Sequence, residues 1–191
     1  MFGIDISHWD NDRKKPVDYK EISRCCDFVI IKATDGIKQD PMYMTNYNSL
    51  LAVKTGFYAY SYATTPAQAK AEARTFCEAV RLCNRDAGLW LDVEDKRQKK
   101  LTKRALTAVV NAWIAEAFKL GYSVGLYSNP SWLENRLDLD LLNTTKLWLA
   151  VYTDSIGKLL KYRAKYKPDV IQFTSSYKLP NGAKVDGDLI I

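Results

Sequence analysis

The segment Gly88-Leu-Trp-Leu-Asp-Val-Glu-Asp95 decides the fold class, because a short apolar run leads directly into three carboxylates. The run Leu89–Leu91 is apolar on both faces of an extended chain, which is typical of strands covered on both sides in a parallel sheet. Asp92 and Glu94 follow at a spacing of two, so their side chains share one face, with Cα atoms about 6–7 Å apart. This segment predicts a buried strand whose carboxyl end carries an acidic site.

Strand-like apolar runs alternate with helical or loop segments along the rest of the chain. Amphipathic spacing predicts helices over Pro66–Leu82 and Thr102–Leu120 and a less regular helix over Tyr43–Thr55, with Thr102 as an N-cap and Gly121 after the second helix. The eight strand-like runs are Phe2–Ile6, Phe28–Lys32, Gly56–Tyr62, Leu89–Val93, Val124–Tyr127, Leu147–Val151, Val170–Phe173 and Val185–Ile191.

The last third of the chain predicts lost or shortened helices. The connector between 151 and 170 has room for only a short helix around Ile156–Tyr162, and the segment between Phe173 and Val185 has hairpin character. We therefore expect an α/β fold, an irregular TIM-like β/α barrel of about eight strands, with an open doubly wound sheet as the alternative. No repeat or linker divides the sequence, which predicts one domain over residues 1–191.

Composition narrows the classes of partner. The chain has 191 residues, with 28 Lys and Arg against 22 Asp and Glu, and a formal net charge of +6. This excess favours anionic polymers in general. The longest basic cluster, Lys96–Lys100, is interpreted as a solvated loop, and no run is long enough for a nucleic-acid arm. No nucleic-acid partner is expected.

Targeting signals and metal-binding patterns are not recognisable in the sequence. Met1–Ile6 is strand-like rather than a basic region before an apolar core, and no apolar stretch reaches the roughly 18 residues of a membrane span. We expect synthesis in the cytoplasm without a signal peptide, and no integral membrane segment. One histidine and four cysteines without CxxC spacing predict free thiols, no metal site and no cofactor: His8, Cys25, Cys26, Cys77 and Cys83.

Carboxylates and aromatic rings recur at the carboxyl ends of the predicted strands, where parallel α/β folds bind ligands. Tyr58, Tyr60 and Tyr62 share one face, so they either line a cleft or pack beneath helices. His8 is interpreted as a structural or substrate-contacting group. The other side chains at these ends are Asp5, Trp9, Lys32, Thr34, Asp35, Asp92, Glu94, Tyr127, Asn129, Tyr152, Gln172, Asp186 and Asp188.

The pair Asp92 and Glu94 suits glycoside hydrolysis. Two carboxylates that face one cavity repel each other, so one of them has a raised pKa and can hold a proton near neutrality. Hydrolysis of a glycosidic bond needs one carboxylic acid to protonate the leaving oxygen and a partner that stabilises the developing charge. The alternative interpretation is two solvated carboxylates at the end of a strand.

Taken together, a collinear set of segments resembles glycoside hydrolase family 25, the Chalaropsis-type muramidases found in many phage endolysins. The resemblance runs from Gly3 to Asp186. Its segments are Gly3-Ile-Asp-Ile-Ser-His-Trp9, Phe28-Val-Ile-Ile-Lys-Ala-Thr-Asp-Gly36, Gly56-Phe-Tyr-Ala-Tyr60, Leu91-Asp-Val-Glu94, Gly125-Leu-Tyr-Ser128, Leu147-Trp-Leu-Ala-Val-Tyr152, Gln172-Phe-Thr174 and Val185-Asp186.

The resemblance implies a bacterial peptidoglycan hydrolase that cleaves the β-1,4 bond between N-acetylmuramic acid and N-acetylglucosamine. It implies Glu94 as general acid and base, Asp92 as the carboxylate that orients and stabilises, and Asp5 and Asp186 as further catalytic carboxylates. The nucleophile is either the substrate's 2-acetamido group, assisted by Asp92, or an enzyme carboxylate. The expected substrate-binding residues are Trp9, Lys32, Tyr60, Tyr62, Tyr127 and Gln172.

Two segments depart from the family pattern. The charged stretch after Trp9, residues 10–15, replaces a tighter turn, and Asp188 stands where an asparagine is usual, so that it competes with Asp186 for a role. The expected protein is the catalytic part of a phage endolysin that acts on the wall after release, with a wall-binding domain possible after Ile191. A sugar-binding module without turnover and a glycosidase acting on chitin-like polymers are the alternatives.

Overall fold

A computed structural model of the protein describes residues 1–11, 14–144, 146–153 and 155–191. The described helices are α1 His8–Asn11, α2 Tyr19–Cys25, α3 Tyr43–Ser49, α4 Pro66–Ala79, α5 Lys103–Lys119, α6 Pro130–Asn135 and α7 Ile156–Tyr166. The described strands are β1 Phe2–Ile6, β2 Phe28–Asp35, β3 Lys38–Gln39, β4 Lys54–Tyr60, β5 Leu89–Asp92, β6 Gly125–Ser128, β7 Leu147–Ala150, β8 Val170–Lys178 and β9 Lys184–Ile190.

Eight of these strands form a closed barrel. The order around the sheet is β1-β9-β8-β7-β6-β5-β4-β2, and β1 also pairs with β2, which closes the ring. The short β3 pairs antiparallel with the end of β2. The predicted TIM-like barrel is therefore confirmed, and the open doubly wound sheet is wrong, because the strands of an open sheet would leave two unpaired edges.

The last strand runs in the opposite direction to the other seven. β9 pairs antiparallel with both β8 and β1, so its amino half lies beside the carboxyl ends of its neighbours, and Asp186 stands opposite Asp5. The predicted hairpin is present, with strands that extend into the expected loop as far as Lys178 and Lys184. Antiparallel strands accept such a short connection, whereas parallel strands need a crossover.

Successive side chains of a strand point to opposite faces of the barrel wall, and this alternation produces two cores. Phe28 and Ile30 point into the barrel, where they join the rings of Trp90 and Trp148. Val29 belongs to the larger core outside the barrel, beneath the helices. The barrel interior is therefore filled by large side chains in its lower half and is not a pore.

The two long helices cover the outside as their sequences predict. Thr65 accepts a hydrogen bond from the Gln68 amide at the start of α4, and Thr102 accepts one from the Ala105 amide at the start of α5. The Phe76 ring of α4 packs against the fully buried Trp113 of α5, with ring centroids 5.6 Å apart. Both helices and the Thr102 cap are confirmed.

The short helices were predicted less well. α2 and α6 were not anticipated, since six or seven residues give too short an apolar stripe to recognise. The helix predicted over Tyr43–Thr55 ends earlier, at Ser49, and its last predicted residues belong to β4, which begins at Lys54. α7 begins at Ile156 as expected but extends past the short helix predicted to Tyr162, as far as Tyr166, and none of its residues is fully buried.

Candidate active site

The four predicted catalytic carboxylates meet at one end of the barrel. Asp5 lies on β1, Asp186 on β9, Asp92 at the last position of β5, and Glu94 two residues beyond it. All four line one cavity of about 300 Å³. The cavity lies at the carboxyl ends of the parallel strands, which is where α/β barrels hold their ligands.

Most of the other predicted site residues line the same cavity. Tyr62 is the exception: β4 ends at Tyr60, so the period of two no longer applies, and the Tyr62 amide instead donates to Glu72 of α4 over 3.0 Å. The Tyr62 ring lies under the Arg97 guanidinium, 3.8 Å away. The predicted residues at the cavity are Asp5, Trp9, Lys32, Tyr60, Asp92, Glu94, Tyr127, Gln172 and Asp186.

Gln172 organises the two carboxylates of β1 and β9. Its amide nitrogen donates to Asp5 Oδ2 over 2.6 Å and to Asp186 Oδ2 over 3.2 Å. Its amide oxygen accepts hydrogen bonds from the hydroxyls of Tyr127, over 2.8 Å, and Tyr152. Because both hydroxyls hold the oxygen, the NH₂ group has a defined direction and faces the acids.

Asp92 is a buried carboxyl on the cavity wall. Burial raises its pKa well above the usual range, the charge of Glu94 adds to the effect, and Lys32 acts the other way. The Lys32 amine lies 5.0 Å from the centre of the Tyr60 ring and 3.7 Å from Asp35 Oδ1. Asp92 Oδ1 is buried and has no hydrogen-bond partner among the described residues, so the protein leaves this acceptor unused.

Glu94 is held by a residue that the sequence did not single out for the site. Burial raises the pKa of Glu94, and a hydrogen bond from Asn129 opposes that rise. Asn129 is also the N-cap of α6, where its Oδ1 accepts from the Trp132 amide over 3.2 Å. The cap therefore leaves the Asn129 NH₂ group to contact Glu94, and the signals for this in the sequence are the place of Asn129 at the end of a strand and the Asn-Pro start of a short helix.

The floor of the cavity is aromatic. Trp148 contacts three rings, with centroid distances of 4.5 Å to Tyr127, 5.8 Å to Tyr58 and 5.9 Å to Trp90. Trp148 was not predicted for the site, because the run Leu147–Val151 is apolar on both faces and does not reveal which face points inward. Tyr58 also lines the cavity, so of the two alternatives for this tyrosine, lining a cleft or packing beneath helices, the first holds.

The rim carries an exposed tryptophan beside a histidine that contacts an aspartate. Trp9 is 62% exposed, and its ring lies 4.3 Å from that of His8. His8 Nδ1 lies 2.6 Å from Asp40 Oδ2, which supports a structural interpretation of the histidine. Asp10 is buried at the cavity and accepts from the Ser7 amide over 2.9 Å. Within the charged stretch that departs from the family pattern, residues 12 and 13 lie outside the described residues.

Among the described residues, no group of three or more His, Cys, Asp or Glu side chains could hold a metal ion. None of the helices described above is long and apolar enough to cross a membrane.

Comparison with known proteins identifies relatives of this barrel. The model of glycosyl hydrolases family 25 matches residues 4–182. No curated protein sequence matches the chain.

Solved structures share the fold. The modular autolysin of Streptococcus pneumoniae, in complex with a synthetic peptidoglycan ligand, superposes with a TM-score of 0.81 at 24% identity over 98% of this chain and 46% of the autolysin. This chain therefore spans about half the autolysin's length. The catalytic domain of an endolysin from a Listeria monocytogenes bacteriophage superposes with a TM-score of 0.81 at 22% identity, over 100% of this chain and 93% of that domain. A family 25 hydrolase from Bacillus anthracis superposes with a TM-score of 0.77 at 20% identity, over 100% of this chain and 88% of the hydrolase.

The family assignment follows from the sequence match, and the structural likenesses agree with it in fold. The matched range contains three of the four predicted catalytic carboxylates, Asp5, Asp92 and Glu94. It also contains β2 to β8 in full and β1 from Ile4 onward, and it ends before β9. The chain belongs to glycosyl hydrolase family 25.

Proposed function

We propose that this protein is a lysozyme, an N-acetylmuramidase that hydrolyses the β-1,4 bond between N-acetylmuramic acid and N-acetylglucosamine in bacterial peptidoglycan. The observation that carries the proposal is the Glu94 carboxyl, which lies at the cavity with a pKa raised by burial. A raised pKa favours the protonated form, which is the form that can donate a proton to a leaving oxygen. Likeness to an autolysin solved with a synthetic peptidoglycan ligand supports this substrate class.

In the proposed reaction, Glu94 protonates the glycosidic oxygen as its bond to the anomeric carbon breaks. The carbonyl oxygen of the substrate's own 2-acetamido group attacks that carbon, and the acetamido N–H donates to Asp92. The buried, unpartnered Oδ1 of Asp92 supports this role. Glu94, now ionised, takes a proton from water as the water opens the ring that formed. An enzyme carboxylate as nucleophile is the alternative, and a stable thiazoline analogue of the cyclic intermediate would inhibit only the first mechanism.

The remaining cavity residues are proposed to bind the glycan. Tyr60, Tyr127 and Trp9 offer rings on which a sugar can stack. Lys32 and Gln172 offer polar contacts. Tyr62 lies outside the cavity, so its predicted contact requires a glycan that extends past Tyr60, whose ring is 5.1 Å from that of Tyr62.

The test is clearing of purified peptidoglycan by the wild type and by Glu94→Gln, followed by mass spectrometry of the reduced products. We expect the wild type to clear the suspension and create muramic acid reducing ends, and Glu94→Gln to bind the polymer without clearing it. Equal lysis by the two proteins would show that Glu94 is not the general acid. Glucosamine ends, or preferred cleavage of chitin, would favour the chitin-type alternative, and binding without new ends would favour a sugar-binding module.

We also propose that the protein is the catalytic part of a phage endolysin. The phage endolysin catalytic domain, of which this chain covers 93%, supports this origin. Cytoplasmic synthesis, release to the wall and a wall-binding domain after Ile191 remain predictions. Production inside a bacterium tests the release: lysis should follow only when the membrane is permeabilised. The prediction that residues 1–191 form one domain is tested by a single cooperative unfolding transition.

A further inference from the structure

A second cavity, of about 660 Å³, lies beside the catalytic cavity, and we call it the side groove. The turn and edge strand of residues 36–39 line one side of it, and helix α4 lines the other. None of the four predicted catalytic carboxylates lines the side groove. The reaction described above therefore gives this groove no task.

The side groove and the catalytic cavity share a border of aromatic rings. Trp9 lines the cavity and His8 lines the groove, with ring centroids 4.3 Å apart. Tyr60 lines the cavity and Tyr62 lines the groove, with ring centroids 5.1 Å apart. A branch of a ligand in the cavity can therefore enter the groove across these neighbouring side chains.

Much of the groove wall is aliphatic. Ile37, Pro41 and Ala71 line it with exposed side chains that carry no hydrogen-bonding group, and they favour methyl and methylene groups of a ligand. The wall that Tyr62 forms is held in place, because the Tyr62 amide donates to Glu72 of α4 over 3.0 Å. The groove is thus formed before any ligand enters it.

The groove also offers an open strand edge. β3, residues Lys38–Gln39, pairs with β2, and it stands at the end of the strand order in the described sheet. Both of its residues are exposed and line the groove. An open edge can pair with an extended peptide backbone, while pockets beside it receive the peptide side chains. Because alternate residues of a strand face away from its partner, this short strand offers about one such backbone pair, and side-chain contacts must supply the rest.

The proposed reaction gives the direction in which a branch leaves the sugar. Glu94 protonates the oxygen on C1, and its contact Asn129 follows β6. Asp92, on β5, faces the acetamido group on C2. The next ring carbon, C3, carries the lactyl group of muramic acid, which is therefore directed towards β4, the other neighbour of β5. In the register of the sheet, Asp92 pairs with Tyr60, and Tyr60 pairs with Asp35 of the groove.

We propose that the side groove binds the peptide branch of peptidoglycan, which an amide bond joins to the lactyl group of muramic acid. The branch leaves the sugar beside Asp92, passes Tyr60 and lies extended between β3 and α4. Its methyl groups contact Ile37 and Ala71, its backbone pairs with the edge of β3, and Tyr62 contacts the peptide. The path of the branch rests on the proposed function, whereas the affinity of the groove for a peptide does not.

The kinetic test compares peptidoglycan with and without its peptides. An amidase that cleaves the bond between the lactyl group and the peptide supplies the stripped glycan. Ala71→Trp puts a large ring into the groove from an exposed position, so it should lower kcat/KM at least about tenfold on intact peptidoglycan and less than about twofold on the stripped glycan. Ile37→Ser removes one aliphatic contact and should lose about three- to tenfold on the intact polymer alone.

The matched control is Ala164→Trp. Ala164 is an exposed alanine of α7, the helix that follows β7, and β7 lies opposite β2 in the ring of barrel strands. This variant should match the wild type on both polymers. An equal loss by Ala71→Trp on both polymers would assign the groove to the glycan, and no loss on either would show that the substrate does not use it. Each of these outcomes would overturn the inference.

A binding test needs no cleavage and so separates the inference from the proposed function. The probes are the peptides that the amidase releases from a lysine-type and from a diaminopimelate-type peptidoglycan. At about 5 mM peptide, NMR saturation transfer detects a Kd of about 1 mM. We expect transfer from the wild type and from Glu94→Gln, and a signal at least about fivefold weaker from Ala71→Trp.

The outcomes of the binding test are distinct. No transfer from the wild type to either set of peptides would overturn the inference, even if the protein is an active lysozyme. Equal transfer from the wild type and Ala71→Trp would also overturn it, because the peptide would then bind elsewhere. Transfer that Ala71→Trp weakens, in a protein that leaves muramic acid linkages intact, would contradict the proposed function and support the peptide groove.

Discussion

The amide nitrogen of Gln172 donates to Asp5 Oδ2 over 2.6 Å, and this bond joins β8 to β1 across the antiparallel strand β9. The same nitrogen reaches Asp186 on β9, so one amide links three strands at the mouth of the barrel. Two carboxyls that share one donor have a fixed separation only while the donor faces them. The Tyr127 hydroxyl on the other side of the amide ensures that orientation.

Replacing Gln172 by Glu should therefore damage both stability and activity. The substitution removes the donor and puts a third carboxyl between Asp5 and Asp186, in a position with 1% exposure. We expect a loss of about 2 kcal/mol or more in the free energy of unfolding at pH 7 and at least about a tenfold loss in kcat/KM. Urea unfolding and peptidoglycan clearing measure the two effects. Gln39→Glu, at an exposed position of β3, is the control for unfolding and should leave the stability unchanged; an equal loss of stability in the two variants would refute the role of Gln172.

The hydrogen bond from Asn129 should control the pH profile through Glu94. The bond favours the ionised form of Glu94, so its removal should raise the pKa of the acid further. A general acid must be protonated, and activity falls as pH rises through its pKa. Asn129→Ser keeps an N-cap for α6 but lacks the NH₂ donor, so we expect the alkaline limb of kcat/KM to move to higher pH with little loss of stability. An alkaline limb that stays in place or moves to lower pH would show that the bond does not set this pKa.

The buried carboxyls should make the protein less stable as the pH rises above about 4. The pKa values of Asp5 and Asp92 are raised by burial above the unfolded value of about 3.9. The native state keeps protons that the unfolded chain has lost, so this contribution is complete below the unfolded pKa and disappears as pH rises through the folded pKa, at about 1.4 kcal/mol per pH unit for each proton. Unfolding midpoints across this range should fall less steeply for Asp92→Asn than for the wild type. The exposed variant Asp86→Asn should follow the wild type, and a steeper fall in Asp92→Asn would contradict the sign.

Two glycine-to-alanine substitutions should have opposite effects. A Cβ at Gly3 would lie 2.5 Å from the backbone carbonyl oxygen of Phe28 and 2.6 Å from the Phe28 ring. That ring lies inside the closed barrel. Gly3→Ala should therefore cost about 1–3 kcal/mol, or more if the strands cannot separate. Gly157, in helix α7, has only the Ser155 hydroxyl oxygen near such an atom, at 3.9 Å, so Gly157→Ala should stabilise by about 0.5–1 kcal/mol. Chemical denaturation measures both, and a neutral Gly3→Ala would mean that β1 and β2 are looser than their pairing indicates.

The sequence predicted the elements whose signals are local. Apolar runs marked all eight barrel strands, and the helical spacing with a threonine N-cap marked α4 and α5. The spacing of two in Asp92 and Glu94 predicted that both acids reach one cavity, and they do. Alternation fails at the end of a strand, which is why Tyr62 left the face that Tyr58 and Tyr60 share.

Local sequence by itself thus determined that strands and helices form here, and which acids stand at strand ends, because backbone propensity and side-chain period act over a few residues. Tertiary structure alone decided the closure of β1 on β2 and the reversed direction of β9, since an apolar run has no preferred partner or direction until the chain packs. That reversal sets Asp186 opposite Asp5 at the mouth of the barrel and Asp188 below it, where it accepts the Trp148 indole N–H. Their different access to water exists only in the folded barrel.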